Sequence, residues 1–71
     1  MSDSVYKIVE LVGTSPESWE KAAAAAVAKA YETQKDLRVA EVTQMDMHIK
    51  DGKVEVFRTK IKVSFKCESK G

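Results

Sequence analysis

The stretch that decides the fold covers residues 37–67 and reads LRVAEVTQMDMHIK-DG-KVEVFRTKIKVSFKC. Its two halves are rich in β-branched and aromatic residues, a composition typical of strands. Asp51 and Gly52 between them favour a two-residue type I′ turn, in which both residues have positive φ. The sequence therefore predicts two long antiparallel strands, Leu37–Lys50 and Lys53–Cys67.

Upstream of the hairpin, the pattern changes from strand to helix. Val5–Val12 (VYKIVELV) predicts a first strand. Ser15 suits a helix N-cap, and Pro16 suits the first helical position, where the missing N–H costs nothing. An alanine-rich segment follows, so we expect a helix from Pro16 to about Lys35. The order β-α-β-β with a right-handed crossover places the first strand parallel to the second, with the third between them.

Length, charge and composition limit the function. A chain of 71 residues, 44% of them hydrophobic, predicts one globular domain over residues 1–71. The net charge of +1 argues against nucleic acid as a partner. No apolar run approaches the ~20 residues that a membrane span needs, and the first four residues do not resemble a secretory signal. We therefore expect a cytoplasmic protein with neither a nucleic-acid nor a membrane partner.

The hairpin pattern predicts self-association. A two-residue turn pairs residues whose numbers sum to 103, and strict alternation then makes the apolar side switch faces along the hairpin. The apolar pairs near the base are Ala40–Val63 and Val42–Ile61, and the apolar residues expected on the opposite face near the tip are Met45, Met47, Ile49, Val54 and Val56. One helix covers one face, so the other face needs a partner, and a second copy is the simplest. A β-bulge near Met45 or Phe57 would let the strands bend.

No catalytic motif is present, so an enzyme is not expected. The single cysteine, Cys67, excludes an internal disulfide, and a structural thiol is the simplest interpretation. Asp46, His48 and Glu55 form either a divalent-cation site or a solvated hairpin tip. Trp19 is either a stacking platform or, as we favour, a packing residue.

Charged side chains alternate along the outward face of the hairpin. Arg58, Lys60 and Lys62 share this face with Val39, and Glu41 lies opposite Lys62. The pattern is typical of a solvated charge ladder with cross-strand pairs. It also fits a ligand cleft between copies, and the expected self-association favours that alternative.

Beyond these patterns, the chain resembles the dodecin family over nearly its whole length. The β-α-β-β order at about 70 residues carries the resemblance together with short motifs. These motifs are Tyr6-Lys7, Val12-Gly13-Thr14-Ser15-Pro16, Ala40-Glu41-Val42, Asp51-Gly52-Lys53 and Lys62-Val63-Ser64-Phe65.

The resemblance implies an α+β subunit whose three-stranded antiparallel sheet partly wraps one helix. It implies a homododecamer, a hollow shell of twelve subunits with 23 symmetry. Dodecins bind flavins such as riboflavin and FMN in pairs at subunit contacts and store them without catalysis, and some bacterial members bind coenzyme A. We expect a non-enzymatic small-ligand storage shell of this kind here, and the alternative is a flavin-free shell that is structural or binds a divalent cation such as calcium.

The family's flavin-contacting residues are altered in this chain. The family's stacking tryptophan corresponds to Val39, its ring-binding glutamine to Arg58, and a phosphate-side arginine to Asp46. The resemblance is thus to a subgroup without the tryptophan–glutamine pair, and flavin binding is expected to be weakened. The expected ligand residues are Val39, Arg58, Gln44, Asp46 and Met45. Relatives of this kind are linked to cation binding, and the calcium candidates are Asp46, His48, Glu41 and Glu55.

Overall fold

A computed structural model describes residues 3–67. The elements are β1 (Tyr6–Ser15), α1 (Trp19–Thr33), β2 (Leu37–Lys50) and β3 (Lys53–Lys66). The predicted β-α-β-β order and α+β class are confirmed. The ends of the predicted 1–71 domain, residues 1–2 and 68–71, lie outside the described part.

The three strands form one antiparallel sheet in the order β1-β3-β2. β3 pairs with both neighbours, so β1 and β2 run parallel on its two sides, as predicted. Asp51 (φ 53°) and Gly52 (φ 76°) both have positive φ, as a type I′ turn requires. The sheet therefore rests on a tight hairpin, with β1 added to it by the helical crossover.

The helix packs on one face of the sheet through its smallest side chains. Ala22, Ala26 and Ala30 are buried, and their four-residue spacing places them on one side of α1. Ala26 packs with Ile61 and Val63 of the central strand, which are almost completely buried. Alanine lets the helix approach the strands closely, which makes a thin core possible in so short a chain.

The helix begins three residues later than the sequence predicts. Ser18 is the N-cap, and its hydroxyl accepts a hydrogen bond from the Lys21 N–H at 3.0 Å. Ser15 is instead the last residue of β1, where its Oγ accepts from the Glu17 N–H. The prediction of Ser15 as N-cap was wrong because the pairing of β1 with β3 continues to Ser15. The predicted end near Lys35 also shortens, to Thr33.

β2 and β3 show three register shifts, the first of them between Leu37 and Val39, and the other two change which way the side chains point in the half of the hairpin near the turn. The register shifts between Val42 and Gln44, near the predicted Met45 position, and again between His48 and Ile49. Between the shifts, partner numbers no longer sum to 103, so Met47 pairs with Phe57 instead of the predicted Val56. The predicted switch of apolar faces was therefore wrong for Met45, Met47, Ile49 and Val54, whereas Val56 lies opposite His48 on the other face, as predicted. Each shift reverses the alternation on one strand. The helix-side face holds Ala40, Val42, Met45, Met47, Ile49 and Val54.

The helix covers only part of this apolar face. Its 15 residues span roughly 22 Å, whereas a 14-residue strand spans about 46 Å. The subunit measures 56 × 20 × 13 Å, with a radius of gyration of 15.0 Å against about 11 Å for a compact chain of this length. The far half of the hairpin thus projects beyond α1. We call its uncovered apolar residues the tip strip: Met45, Met47, Ile49 and Val54, which are 43–61% exposed.

Among the residues described, α1 is the one helix, and it is neither long nor apolar enough to cross a membrane.

Candidate ligand cleft on the outer face of the sheet

A polar cleft lies on the sheet face opposite α1. It has a volume of about 260 Å³, and all three strands contribute to it. Its lining residues are Val12, Gln44, Asp46, Arg58 and Lys60. The antiparallel register places Val12 and Gln44 on either side of Lys60, and Asp46 opposite Arg58. We call this site the outer-face cleft.

The centre of the cleft is a forked ion pair. Arg58 Nε donates to Asp46 Oδ1 at 2.7 Å, and Nη2 donates to Oδ2 at 2.8 Å. These hydrogen bonds and the guanidinium charge hold the pKa of Asp46 below its ordinary value, and Asp46 in turn raises the pKa of Arg58. Bidentate arginine–carboxylate pairs have defined geometry. A ligand entering the cleft therefore meets the guanidinium plane of Arg58, which Asp46 orients. The resemblance implies a neutral glutamine amide at this position.

Arg58→Gln is expected to raise the pKa of Asp46 toward its ordinary value, because the substitution removes the charge and the forked donors. In the native protein the lowered pKa stabilises the fold above the unfolded-state carboxyl pKa. That contribution is lost as the pH falls through the folded-state value. A carbon-13 NMR titration of the Asp46 carboxyl measures the shift.

Asp36 is the matched control for this titration. Its carboxylate accepts hydrogen bonds from Arg38, which lower its pKa in the same way. The pKa of Asp36 should be unchanged in Arg58→Gln. An unchanged pKa at Asp46 would show that Arg58 does not control it.

Two expected flavin residues lie far apart within the subunit. Val39 pairs with Ser64 on the outer face and is 61% exposed. Ser64 lies six positions from Arg58 along β3, a distance of roughly 20 Å. A ring that touched both positions would have to bridge two subunits. Met45 lies on the helix-side face, away from the outer-face cleft, whereas Gln44 lines that cleft.

The structure brings two of the four calcium candidates, His48 and Glu55, into contact with each other. His48 Nδ1 lies 2.8 Å from Glu55 Oε1, while the Asp46 carboxylate is held by Arg58. Glu41 pairs with Lys62, further toward the base of the hairpin. Within residues 3–67 of one subunit, no three His, Cys, Asp or Glu side chains form a cluster able to hold a metal ion. The calcium set stays a prediction.

Trp19 packs against the hairpin, as we favoured. Its ring contacts Phe57 edge to face, with centroids 4.9 Å apart. The indole Nε1 donates to the Asp46 carbonyl at 3.0 Å, and Thr59 Oγ1 donates to the Trp19 carbonyl at 3.0 Å. A second, apolar cavity of about 320 Å³ lies beside this ring. Its lining residues are Trp19, Glu20, Ala23, Val42, Met45 and Thr59.

The sequence did not identify every residue of the outer-face cleft. The alternation of β3 placed Lys60 beside Arg58 on the face expected to form a ligand cleft between copies, but Lys60 was not among the expected ligand residues. Val12 was expected only in a strand. Nothing local signals Val12, because its position depends on pairing with a strand 48 residues away. Cys67 is half-buried, and its N–H donates to the Val5 carbonyl.

The fold and the cleft define a class of protein: a small α+β subunit with an open ligand cleft and an apolar strip suited to a neighbouring copy. A sequence model of the family described as Dodecin matches residues 5–68. The chain belongs to the dodecin family.

Individual relatives agree with this assignment. The chain is 48% identical over 63 residues to the calcium dodecin of Mycobacterium tuberculosis, covering 89% of each protein. It is 41% identical over 64 residues to the dodecin of Thermus thermophilus, covering 90% of this chain and 93% of that protein. The solved structure of the Streptomyces coelicolor dodecin superposes with a TM-score of 0.91 at 37% identity, covering 99% of this chain and all of that one.

Proposed function

We propose that the chain assembles into a homododecameric shell that binds a small ligand without catalysis, with the outer-face cleft as part of an inter-subunit site. Flavin is the family ligand, and we expect weakened affinity for it here. The binding of coenzyme A, which the resemblance also implies, stays a prediction.

One observation carries the proposal: the subunit exposes more surface than a compact monomer should. Its accessible area is 5474 Å², whereas scaling for 7.9 kDa gives roughly 4,400 Å². The excess of about 1,100 Å² exceeds the ~800 Å² that each partner contributes to a typical stable interface. The tip strip contributes exposed apolar side chains to this excess. A second copy that covers it would complete the core that α1 leaves open.

Native mass spectrometry of the purified protein tests both parts of the proposal. Twelve copies of a 7.9 kDa chain should give a species near 95 kDa, and bound ligand would appear as added mass. A species that remains at 7.9 kDa would refute the assembly.

Substitutions that introduce charge into the tip strip should dissociate the assembly. The double substitution Met47→Glu with Ile49→Glu places two carboxylates where neighbouring apolar surface is expected, so we expect smaller species by mass spectrometry and gel filtration. Both side chains are exposed in the subunit, so circular dichroism should show retained secondary structure. Tyr31→Glu is the control, because Tyr31 is 53% exposed but lies on α1. Intact assembly of the double variant would contradict the role of the strip.

Calcium binding is the second candidate. The 48% identical relative is called calcium dodecin, and a solved structure of that protein, 46% identical to this chain, is described as having a novel calcium-binding site. The carboxylates of Asp46, Glu41 and Glu55, with His48, supply ligands that divalent cations accept. Since one subunit brings these residues together only in part, subunits meeting at a symmetry axis would have to complete the site.

Calcium should raise the melting temperature if this candidate is correct. A ligand at 100 times its Kd stabilises the folded state by about 2.7 kcal/mol. The measurement compares calcium with magnesium and with a chelator at one subunit concentration. Glu55→Gln should reduce the calcium effect, and Glu32→Gln, on α1, should not. A melting temperature indifferent to both calcium and chelator would remove this candidate.

A further inference from the structure

We propose that Trp19 is a positioning residue for the outer-face cleft, although its ring lies on the opposite face of the sheet. The proposal rests on the proposed function only in that the cleft is taken to bind a small ligand. It extends that function by naming a residue that does not line the cleft but orients the Asp46–Arg58 pair within it.

Trp19 holds both strands of the hairpin at the level of the forked ion pair. Its indole N–H donates to the backbone carbonyl of Asp46, and its own carbonyl accepts from Thr59, the residue after Arg58. β2 and β3 are thus fixed directly behind the Asp46 and Arg58 side chains. Because Asp46 lies on an edge strand, it has no strand beyond it to limit its movement.

The burial pattern supports this role. Thr59 is 1% exposed, so its hydroxyl has a fixed partner in the Trp19 carbonyl. Edge-to-face contact with Phe57 sets the orientation of the indole ring. Phe57 and Thr59 flank Arg58 in β3, so the residues on both sides of Arg58 contact Trp19. Tryptophan supplies a large apolar ring and an N–H donor together.

Trp19→Phe tests the proposal, because phenylalanine keeps an aromatic ring beside Phe57 and removes the N–H. The readout is exchange of the Arg58 Nε–H with water, followed by nitrogen-15 NMR. Looser positioning of Asp46 should make this exchange roughly two- to tenfold faster, the effect expected for one lost hydrogen bond. Unchanged exchange in the folded variant would overturn the proposal.

The chain provides its own control in the same sample. Arg38 Nε donates to Asp36 at 2.8 Å in a second arginine–aspartate pair, at the other end of the hairpin. General loosening of the protein would accelerate exchange at Arg38 as well as at Arg58. We expect Arg38 to be unchanged, and equal acceleration at both would overturn the positioning role.

A second pair of variants covers the possibility that Trp19→Phe does not fold. Thr59→Val removes the hydrogen bond from the Thr59 hydroxyl to the Trp19 carbonyl, and Thr59→Ser retains the hydroxyl. The valine variant should accelerate Arg58 exchange and the serine variant should restore it. Equal exchange in the two would also overturn the proposal.

FMN affinity provides a second test, and its result is independent of the exchange measurement. In a Val39→Trp background, which keeps Asp46 and Arg58, adding Trp19→Phe should weaken FMN binding roughly two- to tenfold. An unchanged affinity would contradict the positioning role at the ligand. Complete absence of FMN binding in that background would count against the flavin part of the proposed function, and the exchange measurement would still decide the role of Trp19.

Discussion

Gly13→Ala is expected to destabilise the subunit severely, because a Cβ at this position would lie 1.9 Å from the carbonyl oxygen of Ala22. No Cβ atom tolerates such an approach, so the helix would have to lift from the sheet. Lifting it would open the contact of Ala26 with Ile61 and Val63. Overpacking costs about 1–3 kcal/mol and sometimes more. The total stability expected for 71 residues is only about 4–10 kcal/mol.

Urea unfolding followed by circular dichroism measures this loss, at one subunit concentration since assembly contributes to stability. Gly52→Asn is the control: the hairpin turn has open space around Gly52, and asparagine tolerates its positive φ. Its unfolding midpoint should barely change. Adding Ala26→Gly to Gly13→Ala should not restore stability, because the closest contact is the backbone of Ala22. A native midpoint for Gly13→Ala would show that the helix does not approach the strand so closely.

Val39→Trp combined with Arg58→Gln should increase flavin affinity. The double variant supplies the aromatic ring and the amide that the dodecin resemblance assigns to these positions. Stacking and apolar burial of about 1–3 kcal/mol correspond to a Kd roughly 5- to 150-fold lower. Quenching of riboflavin and FMN fluorescence measures the change, with Val39→Leu as the control that adds volume without an aromatic face.

The forked ion pair adds a distinction between the two flavins. Arg58→Gln frees the Asp46 carboxylate, which would repel the phosphate of FMN but not neutral riboflavin. Riboflavin should therefore gain more affinity than FMN in the double variant. Adding Asp46→Asn should remove most of that difference.

The gain should also depend on assembly, because positions 39 and 58 lie roughly 20 Å apart along one subunit. Introducing the charged tip substitutions, Met47→Glu with Ile49→Glu, into the flavin variant should abolish the gain. A final test uses the triple variant Val39→Trp, Arg58→Gln, Asp46→Asn. If it assembles and does not quench flavin fluorescence at tens of micromolar, the cleft differs in shape as well as in these side chains.

Much of the fold could be predicted from local sequence. The Asp51-Gly52 turn, both hairpin strands and the alanine-rich helix follow from propensities that act over a few residues. The parallel placement of β1 and β2 around β3 follows from the handedness of the crossover. The start of α1 could not be predicted, because Ser15 and Ser18 are both good N-caps. The choice between them depends on how far β1 pairs with β3.

The candidate site was predictable as a set of residues but not as an arrangement. Strand alternation correctly placed Arg58, Lys60 and Lys62 on one face, with Glu41 opposite Lys62. It could not show that Asp46 and Arg58 form a forked pair, since that contact depends on a register shifted by a bulge. Nor could it connect Trp19 to the Asp46 carbonyl across 27 residues.

The sequence by itself determined the elements, their order and the excess of apolar side chains that calls for a neighbouring copy. Only the tertiary structure decided which face those side chains occupy. A bulge reverses strand alternation with one extra residue, and it leaves no reliable local signal. Because of two such bulges, Met45, Met47, Ile49 and Val54 lie on the helix side and the Asp46–Arg58 pair lies on the other. The tip strip and the outer-face cleft therefore occupy opposite faces of one sheet.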